Sequence, residues 1–141
     1  MNAPITSFRN EHRWLSNFWL CSVSLDGLRF NTVENAYVAA KTLDLDLRRR
    51  VVPLDPGQAK RFGRTFVLRP DWDEVKLPTM RMLLEQKFAS GYLRDRLLGT
   101  AGRELIEGNA WGDTFWGVCN GVGENHLGRM LMEIRDKAGA P

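Results

Sequence analysis

The fold is decided by residues 18–43, which read FWLCSVSLDGLRFNTVENAYVAAKTL. The first part, Phe18 to Val23, is apolar and partly alternating, and Asp26-Gly27 separates it from Leu28-Arg29-Phe30. Because an Asp-Gly pair between two such runs favours a tight turn, this part predicts a β-hairpin. Thr32 follows the hairpin and is predicted to cap the N-terminus of a helix. A hairpin that leads directly into a helix indicates an α+β fold.

The rest of the chain predicts helices joined by short connections. Cap residues, prolines and apolar spacing place them at 33–43, 44–52, 55–62, 78–90, 92–98 and 124–137, with a short strand at 66–68 and a capped turn at 71–72. The predicted buried faces of the last and the fourth helix comprise Leu127, Met130, Leu131 and Ile134, and Met80, Leu83, Leu84 and Phe88. Since 141 residues is the length of one domain, we predict a single, mostly helical α+β domain over residues 1–141 with a small hairpin or sheet.

The composition is that of an ordinary folded domain, with 43% hydrophobic and 26% charged residues. The net charge of +3 is too small for a protein that binds nucleic acid mainly by charge. The basic residues are 15 Arg and 5 Lys, a bias that fits either phosphate recognition or a GC-rich genome. Cys21 and Cys119 form no C-x-x-C pair, and no run of 18 apolar residues or apolar leader occurs. We therefore expect reduced thiols and a soluble, cytoplasmic protein without membrane contact.

Several common site motifs are absent from the sequence. Gly121-Val122-Gly123 lacks the third glycine of a dinucleotide fingerprint, and there is no phosphate-binding G-x-x-x-x-G-K-[ST] motif. His12 and His126 are the only histidines and lie far apart, so a zinc site or a Ser-His or Cys-His nucleophile would depend on one of them. We expect no metal and no redox cofactor.

The helix after the hairpin carries the first candidate site. Tyr37 and Lys41 follow Glu34 at i+3 and i+7, so a carboxylate, a ring and an ammonium share one helix face. In the structural alternative, Glu34 only complements the helix dipole, Tyr37 belongs to the core and Lys41 is solvated.

The second candidate site is a glycine-rich segment between two predicted helices. Residues 99–123 contain seven glycines and two tryptophans. Its polar and aromatic candidates are Glu107, Asn109, Trp111, Asp113 and Trp116-Gly117, followed by Asn125. The alternative is a turn-rich segment in which tryptophan only packs.

Taken in order, these motifs resemble the YbiA-like family, also called NADAR. The resemblance runs from about Phe8 to Arg135, which we take as the core of the domain. It is carried by Asn17-Phe18, Glu34 with an aromatic three and a lysine seven residues on, Gly63-Arg64, Trp72, Met80, Lys87-Phe88, Asp113, Trp116-Gly117, Gly123-x-Asn125-x-Leu127-Gly128 and Leu131-Met132-x-x-Arg135.

The resemblance implies an N-glycosidase that uses water and needs no cofactor. The implied substrates are ribosylamino-pyrimidine phosphates of riboflavin synthesis, or ADP-ribose attached to guanine, either as a free metabolite or in modified nucleic acid. Glu34 would stabilise the oxocarbenium-like transition state or activate water, and Asp113 would manage the leaving amine or the ribose hydroxyls. The expected substrate-binding residues, in a site between the Glu34 helix and the glycine-rich segment, are Asn17, Phe18, Tyr37, Lys41, Arg64, Trp116, Gly117 and Asn125.

Two departures from the family pattern bear on specificity. Many members have histidine after the glutamate, whereas this chain has Asn35, and the 107–113 segment differs in length and composition. Two other functions stay open: a non-catalytic sensor that binds NAD or ADP-ribose, and a module that binds RNA or single strands. No obligate protein partner is evident from the sequence.

Overall fold

A computed structural model describes residues 2–141 of the chain, which form two compact units. The central unit is Asn17–Ala89, and the terminal unit combines residues 2–16 with residues 90–141. Helices dominate both units and the strands are short, so the predicted α+β, mostly helical class is confirmed. The single domain over residues 1–141 stays a prediction.

The central unit begins with the predicted hairpin. Strands β1 (Val23–Leu25) and β2 (Leu28–Phe30) pair antiparallel. Asp26 and Gly27 between them both have positive φ, 48° and 85°, which suits a two-residue turn that twists with the strands. The hairpin is confirmed, although its first strand begins at Val23 rather than Phe18.

Four helices follow in the central unit. They are α1 (Val33–Ala40), α2 (Leu45–Val51), α3 (Pro56–Gly63) and α4 (Trp72–Lys87). The side chains of Thr32, Asp44 and Asp55 accept backbone N–H bonds in the first turns of α1, α2 and α3. The predicted helix starts are confirmed there, because these signals act within one turn of the chain.

Two predictions in this unit are wrong. Helix α4 begins at Trp72 and contains Pro78 in its interior, whereas the sequence was interpreted as a helix that starts at Pro78. Proline is common in the first turn of a helix, which is why Pro78 indicated a helix start. Here the packing of α4 stabilises the helix although Pro78 cannot donate a backbone hydrogen bond in its interior. Residues 66–68 are not a strand, since no neighbouring strand pairs with them and Val67 is 90% exposed. The predicted apolar face of α4 is confirmed, with Met80, Leu83, Leu84 and Phe88 buried.

Helix α1 lies at the centre of this unit, packed against α2, α3, α4 and the hairpin. Its contact with α3 is unusually close at Gly63, where an added Cβ would lie 2.8 Å from Cγ1 of Val38. Both residues are buried. The glycine therefore allows the end of α3 to reach the backbone of α1.

The terminal unit contains a 3₁₀ helix (Asn10–Leu15), α5 (Gly91–Leu98) and α6 (His126–Ala138). Strands β3 (Gly108–Asn109) and β4 (Val118–Cys119) form a parallel pair, and Ile5 bridges to Leu105. The last predicted helix is confirmed with Leu127, Met130 and Leu131 buried, but Ile134 is only half-buried. Among residues 2–141, no helix has the length and apolar character needed to cross a membrane.

Candidate functional site

Glu34, Tyr37 and Lys41 lie on the same side of α1, as the spacing predicts. The Nζ atom of Lys41 lies 5.5 Å from the centre of the Tyr37 ring, a cation–π contact. Glu34 and Lys41 are half-buried, whereas Tyr37 is buried. The backbone N–H of Glu34 donates to the carbonyl of Asn17 (3.0 Å), which joins the chain before the hairpin to the first turn of α1.

Two further cations come from α3. Burial lowers the pKa of Lys41, the Glu34 carboxylate opposes this effect, and the positive charges of Lys60 and Arg64 lower the pKa further. Arg64 follows Gly63, whose contact with Val38 places the end of α3 one turn before Lys41. One carboxylate and three cations therefore form a group in the central unit, the Glu34 cluster, which consists of Glu34, Lys41, Lys60 and Arg64.

An aromatic pair, Tyr37 and Trp72, adjoins the Glu34 cluster, because Lys41 contacts the Tyr37 ring. The rings of Tyr37 and Trp72 lie 5.1 Å apart, and both side chains are buried. The segment before Trp72 is fixed to the end of α1, because the N–H of Arg69 donates to the carbonyl of Lys41 (2.8 Å). Arg69 also pairs with Asp71, and this contact lowers the pKa of the Asp71 carboxyl.

Asn17 and Phe18 lie at the N-terminal side of the cluster. The Asn17 amide donates weakly to Sδ of Met80 (3.6 Å). Its Oδ1 atom is buried and accepts no hydrogen bond within the described chain. Phe18 is 42% exposed. The ring of Phe18 is therefore accessible to a ligand, whereas the Asn17 oxygen is enclosed by protein atoms, so the contact of Asn17 with substrate stays a prediction.

Asn35 has a structural role here. Its side chain is buried, accepts a hydrogen bond from the Thr32 hydroxyl, and donates to the carbonyls of Val51 and Leu54 (3.1 and 2.8 Å), while its backbone N–H donates to the Thr32 hydroxyl oxygen. The amide therefore fixes the connection between α2 and α3. The residue that replaces the usual histidine contributes no acid or base beside Glu34.

In the terminal unit, Asp113 organises a turn. Its Oδ1 accepts the backbone N–H groups of Phe115 and Trp116 (3.1 and 2.9 Å). The Asn109 side chain accepts the N–H of Asp113 and donates to its carbonyl. The Asn109 side chain thus links β3 and β4 to Asp113, and Asn109 is a positioning residue. In the sequence it was only one of the polar candidates of the glycine-rich segment.

The remaining predicted residues of this unit also build the loop. Trp116 packs edge-on against Phe115, with the ring centres 4.9 Å apart. An added Cβ at Gly117 would overlap the carbonyl oxygen of Glu107, so only glycine fits. The Asn125 amide accepts from the N–H of Glu107 (3.0 Å) and donates to the carbonyl of Leu105 (2.9 Å). Its contact with substrate stays a prediction, because these bonds show only its structural role.

Six of the ten predicted site residues belong to the central unit, namely Asn17, Phe18, Glu34, Tyr37, Lys41 and Arg64. Asp113, Trp116, Gly117 and Asn125 belong to the terminal unit. Lys60 and Trp72 were missed as site residues, although the i, i+4 spacing of Lys60 to Arg64 signalled a shared face. No group of three or more His, Cys, Asp or Glu side chains in residues 2–141 is placed to hold a metal.

Comparison with known proteins gives the family. A model of the NADAR domain matches residues 6–138. The chain belongs to the NADAR family. The match covers the predicted core, residues 8–135, and extends it by a few residues at both ends.

Relatives of this NADAR chain carry two kinds of name. It is 38% identical over 136 residues to N-glycosidase YbiA of Shigella boydii, covering 93% of this chain and 84% of that protein. It is 34% identical over 144 residues to a riboflavin biosynthesis protein of Vibrio vulnificus. That alignment covers 97% of this chain but only 39% of the Vibrio protein. The NMR structure of Escherichia coli YbiA superposes with a TM-score of 0.85 at 34% identity, covering 98% of this chain and 86% of that one.

Proposed function

We propose that this chain is an N-glycosidase that hydrolyses the bond between a ribose phosphate and an amine or base. The enzyme class is supported by the relatives named N-glycosidase, which align with most of their own length. For the substrate we propose a ribosylamino-pyrimidine phosphate of riboflavin synthesis, a choice that the name of the Vibrio relative favours. An ADP-ribose conjugate such as ADP-ribosylated guanine is the second candidate.

The observation that carries this proposal is the half-buried Glu34 facing Lys41, with Lys60 and Arg64 close by. Cleavage of an N-glycosidic bond develops positive charge at C1 of the ribose. A carboxylate beside C1 stabilises that charge, or takes a proton from the attacking water. The three cations suit the phosphate of the same substrate, since phosphate binds best to ammonium and guanidinium groups.

The aromatic residues supply the remaining recognition in this proposal. The partly exposed ring of Phe18 offers a face for the departing base. We also propose Asn17 as a substrate contact, which requires its enclosed amide to move toward the ribose. Asp113 is the proposed second acid. Two backbone N–H groups hold its Oδ1, so the turn fixes the direction of its other oxygen.

A panel of substrates tests the proposal. The full chain is incubated with a ribosylamino-pyrimidine phosphate, ADP-ribosylated guanosine and ADP-ribosylated DNA, and products are identified by mass spectrometry. We expect release of intact ribose 5-phosphate or ADP-ribose together with a free amine or base. Because the developing charge at C1 is positive and the phosphate does not react, turnover should continue in excess EDTA.

Two outcomes contradict this proposal. Binding of ADP-ribose without turnover of any compound would favour the sensor function. Activity that is lost in EDTA and restored by Mg²⁺ or Zn²⁺, or products with a cleaved pyrophosphate, would indicate a metal-assisted phosphohydrolase.

A further inference from the structure

A second cationic surface lies in the central unit, on the flank of α3 away from Lys41. It is a groove of about 330 Å³ lined by Arg50, Leu54, Gln58, Arg61 and Phe62. None of these residues belongs to the predicted site. Pockets that hold small ligands begin at about this volume, so the groove suits one ligand of nucleotide size.

Helix α3 separates the groove from the Glu34 cluster. Ala59 and Gly63 are its buried residues. Lys60 and Arg64 each follow a buried residue by one position, whereas Gln58 and Phe62 each precede one. At about 100° per residue these two pairs point roughly 160° apart. Lys60 and Arg64 act on Lys41, and the other flank lines the groove.

The guanidinium of Arg50 forms a cation–π contact with a ring in this groove. Its central carbon lies 5.0 Å from the centre of the Phe62 ring. Phe62 is in turn fixed by an edge-on contact with Phe66, with ring centres 4.9 Å apart. A cation–π contact of this kind does not use the N–H groups of the guanidinium as hydrogen-bond donors, so they can bind an anion. The geometry therefore orders Arg50 without consuming its hydrogen-bond donors.

Arg61 supplies the second guanidinium. Its Nη1 lies 3.7 Å from the position of a Cβ on Gly57, so the side chain folds back along the first turn of α3. Within residues 2–141, neither Arg50 nor Arg61 forms an ion pair with a carboxylate. Two exposed guanidinium groups beside a ring and the half-buried Leu54 combine anion binding with an apolar wall.

We propose that this groove binds a nucleotide phosphate, with the two guanidinium groups on the phosphate and the base against Phe62 and Leu54. Guanidinium forks match the oxygen geometry of phosphate, and aromatic rings stack on the flat faces of bases. The ligand is either a free nucleotide or a nucleotide within a single strand, which share this chemistry. The proposal does not depend on the glycosidase activity.

Titration calorimetry of the full chain tests the proposal with four probes: AMP, inorganic phosphate, a six-residue oligodeoxyadenylate and a hexaglutamate peptide. We expect saturable binding of AMP or of the oligonucleotide that weakens tenfold or more in Arg50→Gln and in Arg61→Gln. Arg49→Gln is the matched control, since it removes the same charge from an exposed position of α2 outside the groove. Phe62→Leu should weaken AMP binding but leave phosphate binding within twofold.

The probes distinguish a free nucleotide from a strand, and the variants distinguish the groove from the Glu34 cluster. Binding of AMP alone identifies a free nucleotide, whereas binding of only the oligonucleotide identifies a strand. Titration of Lys41→Ala separates the groove from the Glu34 cluster, because groove binding should change less than twofold. The proposal is overturned if Arg49→Gln loses as much affinity as the groove variants, or if Lys41→Ala loses affinity and the groove variants do not. Hexaglutamate that binds as tightly as AMP, or no saturable binding at millimolar ligand, would also overturn it. Thermal melting confirms that each variant is folded.

Discussion

Glu34 is held in place by its backbone as well as by its helix. Its N–H is bonded to the carbonyl of Asn17, and its carboxylate acts on Lys41. The bond fixes the main chain of Glu34, so its carboxylate extends from a defined position on α1, and a preorganised charge is the condition for strong electrostatic catalysis.

We therefore expect Glu34→Gln to lower kcat by roughly 100-fold or more while substrate affinity changes little. The substitution removes the charge and keeps the shape of the side chain. Steady-state kinetics and calorimetry on the substrate found in the panel provide the measurement. Glu85→Gln, at an exposed position of α4, is the control that should behave as wild type. Unchanged turnover in Glu34→Gln would remove Glu34 from the chemistry.

Lys41 and Arg64 should act mainly on the phosphate. We expect Lys41→Ala and Arg64→Ala to weaken binding of the phosphorylated substrate tenfold or more, with less than a twofold effect on its dephosphorylated form. Charge-assisted bonds to phosphate disappear with the phosphate itself. Calorimetry on the two forms measures the ratio, and equal losses for both would assign the two residues to a solvated surface.

Asp113 allows its catalytic and structural roles to be separated. Asp113→Asn retains a side-chain oxygen that can accept the N–H groups of Phe115 and Trp116, so the turn should persist. We expect an unchanged melting temperature and a loss of kcat of tenfold or more. Asp113→Ala should lower both. Full activity of the folded Asp113→Asn variant would leave only the structural role.

At the scale of elements, the close contact between α1 and α3 determines where Arg64 lies. The Cγ atoms of Val38 are fixed by a β-branched side chain and cannot easily move away from an added methyl group at Gly63. Overpacking of this kind commonly costs about 1–3 kcal/mol.

Gly63→Ala is therefore expected to lower the free energy of unfolding by about 1–3 kcal/mol, despite the better helix propensity of alanine. On a Val38→Ala background, which removes the contacting atoms, the same substitution should cost far less. Gly57→Ala in the first turn of α3 is the control, because its nearest neighbour would lie at 3.4 Å. Urea denaturation measures the wild type and the four variants, and additive effects at 63 and 38 would contradict the contact.

The elements that could be predicted from sequence are those set by local signals. Thr32, Asp44 and Asp55 mark helix starts because each bonds to the backbone two or three residues on. The same locality placed Glu34, Tyr37 and Lys41 on one face. Pro78 misled the prediction, since a single residue can either begin a helix or be tolerated within one when packing stabilises it.

Other features depend on partners that are distant in sequence. The β3–β4 pair joins two-residue strands whose sequence, Gly108-Asn109 and Val118-Cys119, has no strand pattern. The role of Asn35 depends on the carbonyls of Val51 and Leu54, which no local pattern identifies. The approach of Lys60 to Lys41 likewise requires the packing of α3 on α1.

At the scale of the whole molecule, Lys87 affects stability. It is buried at the end of α4, and desolvation lowers its pKa to about 8 from 10.5, with Cys21 as the nearby group that opposes the change. The unfolded chain therefore binds more protons than the folded chain between about pH 8 and 10.5. Stability from this group rises with pH across that window and is lowest below it.

We expect Lys87→Met to be more stable than wild type near pH 7, and the difference to shrink by up to about 3 kcal/mol as the pH rises to 10. Urea denaturation of both chains at several pH values gives the difference. The pair is repeated in a Cys21→Ala background, because burial raises the pKa of that thiol and its titration overlaps. Parallel pH profiles would contradict a neutral, buried Lys87 at high pH.

The discontinuous terminal unit has a consequence for the order in which the protein is made. Ile5 pairs with Leu105, and its N–H and carbonyl bond to residues 104 and 106. During translation Ile5 is therefore added to the chain about 100 residues before its partner, a delay of roughly 5–20 s. The whole of Asn17–Ala89 is synthesised within that interval. The order of synthesis makes every residue of the Glu34 cluster and of the Arg50 groove available for folding first, whereas Ile5 can pair only after residues 104–106 have been added.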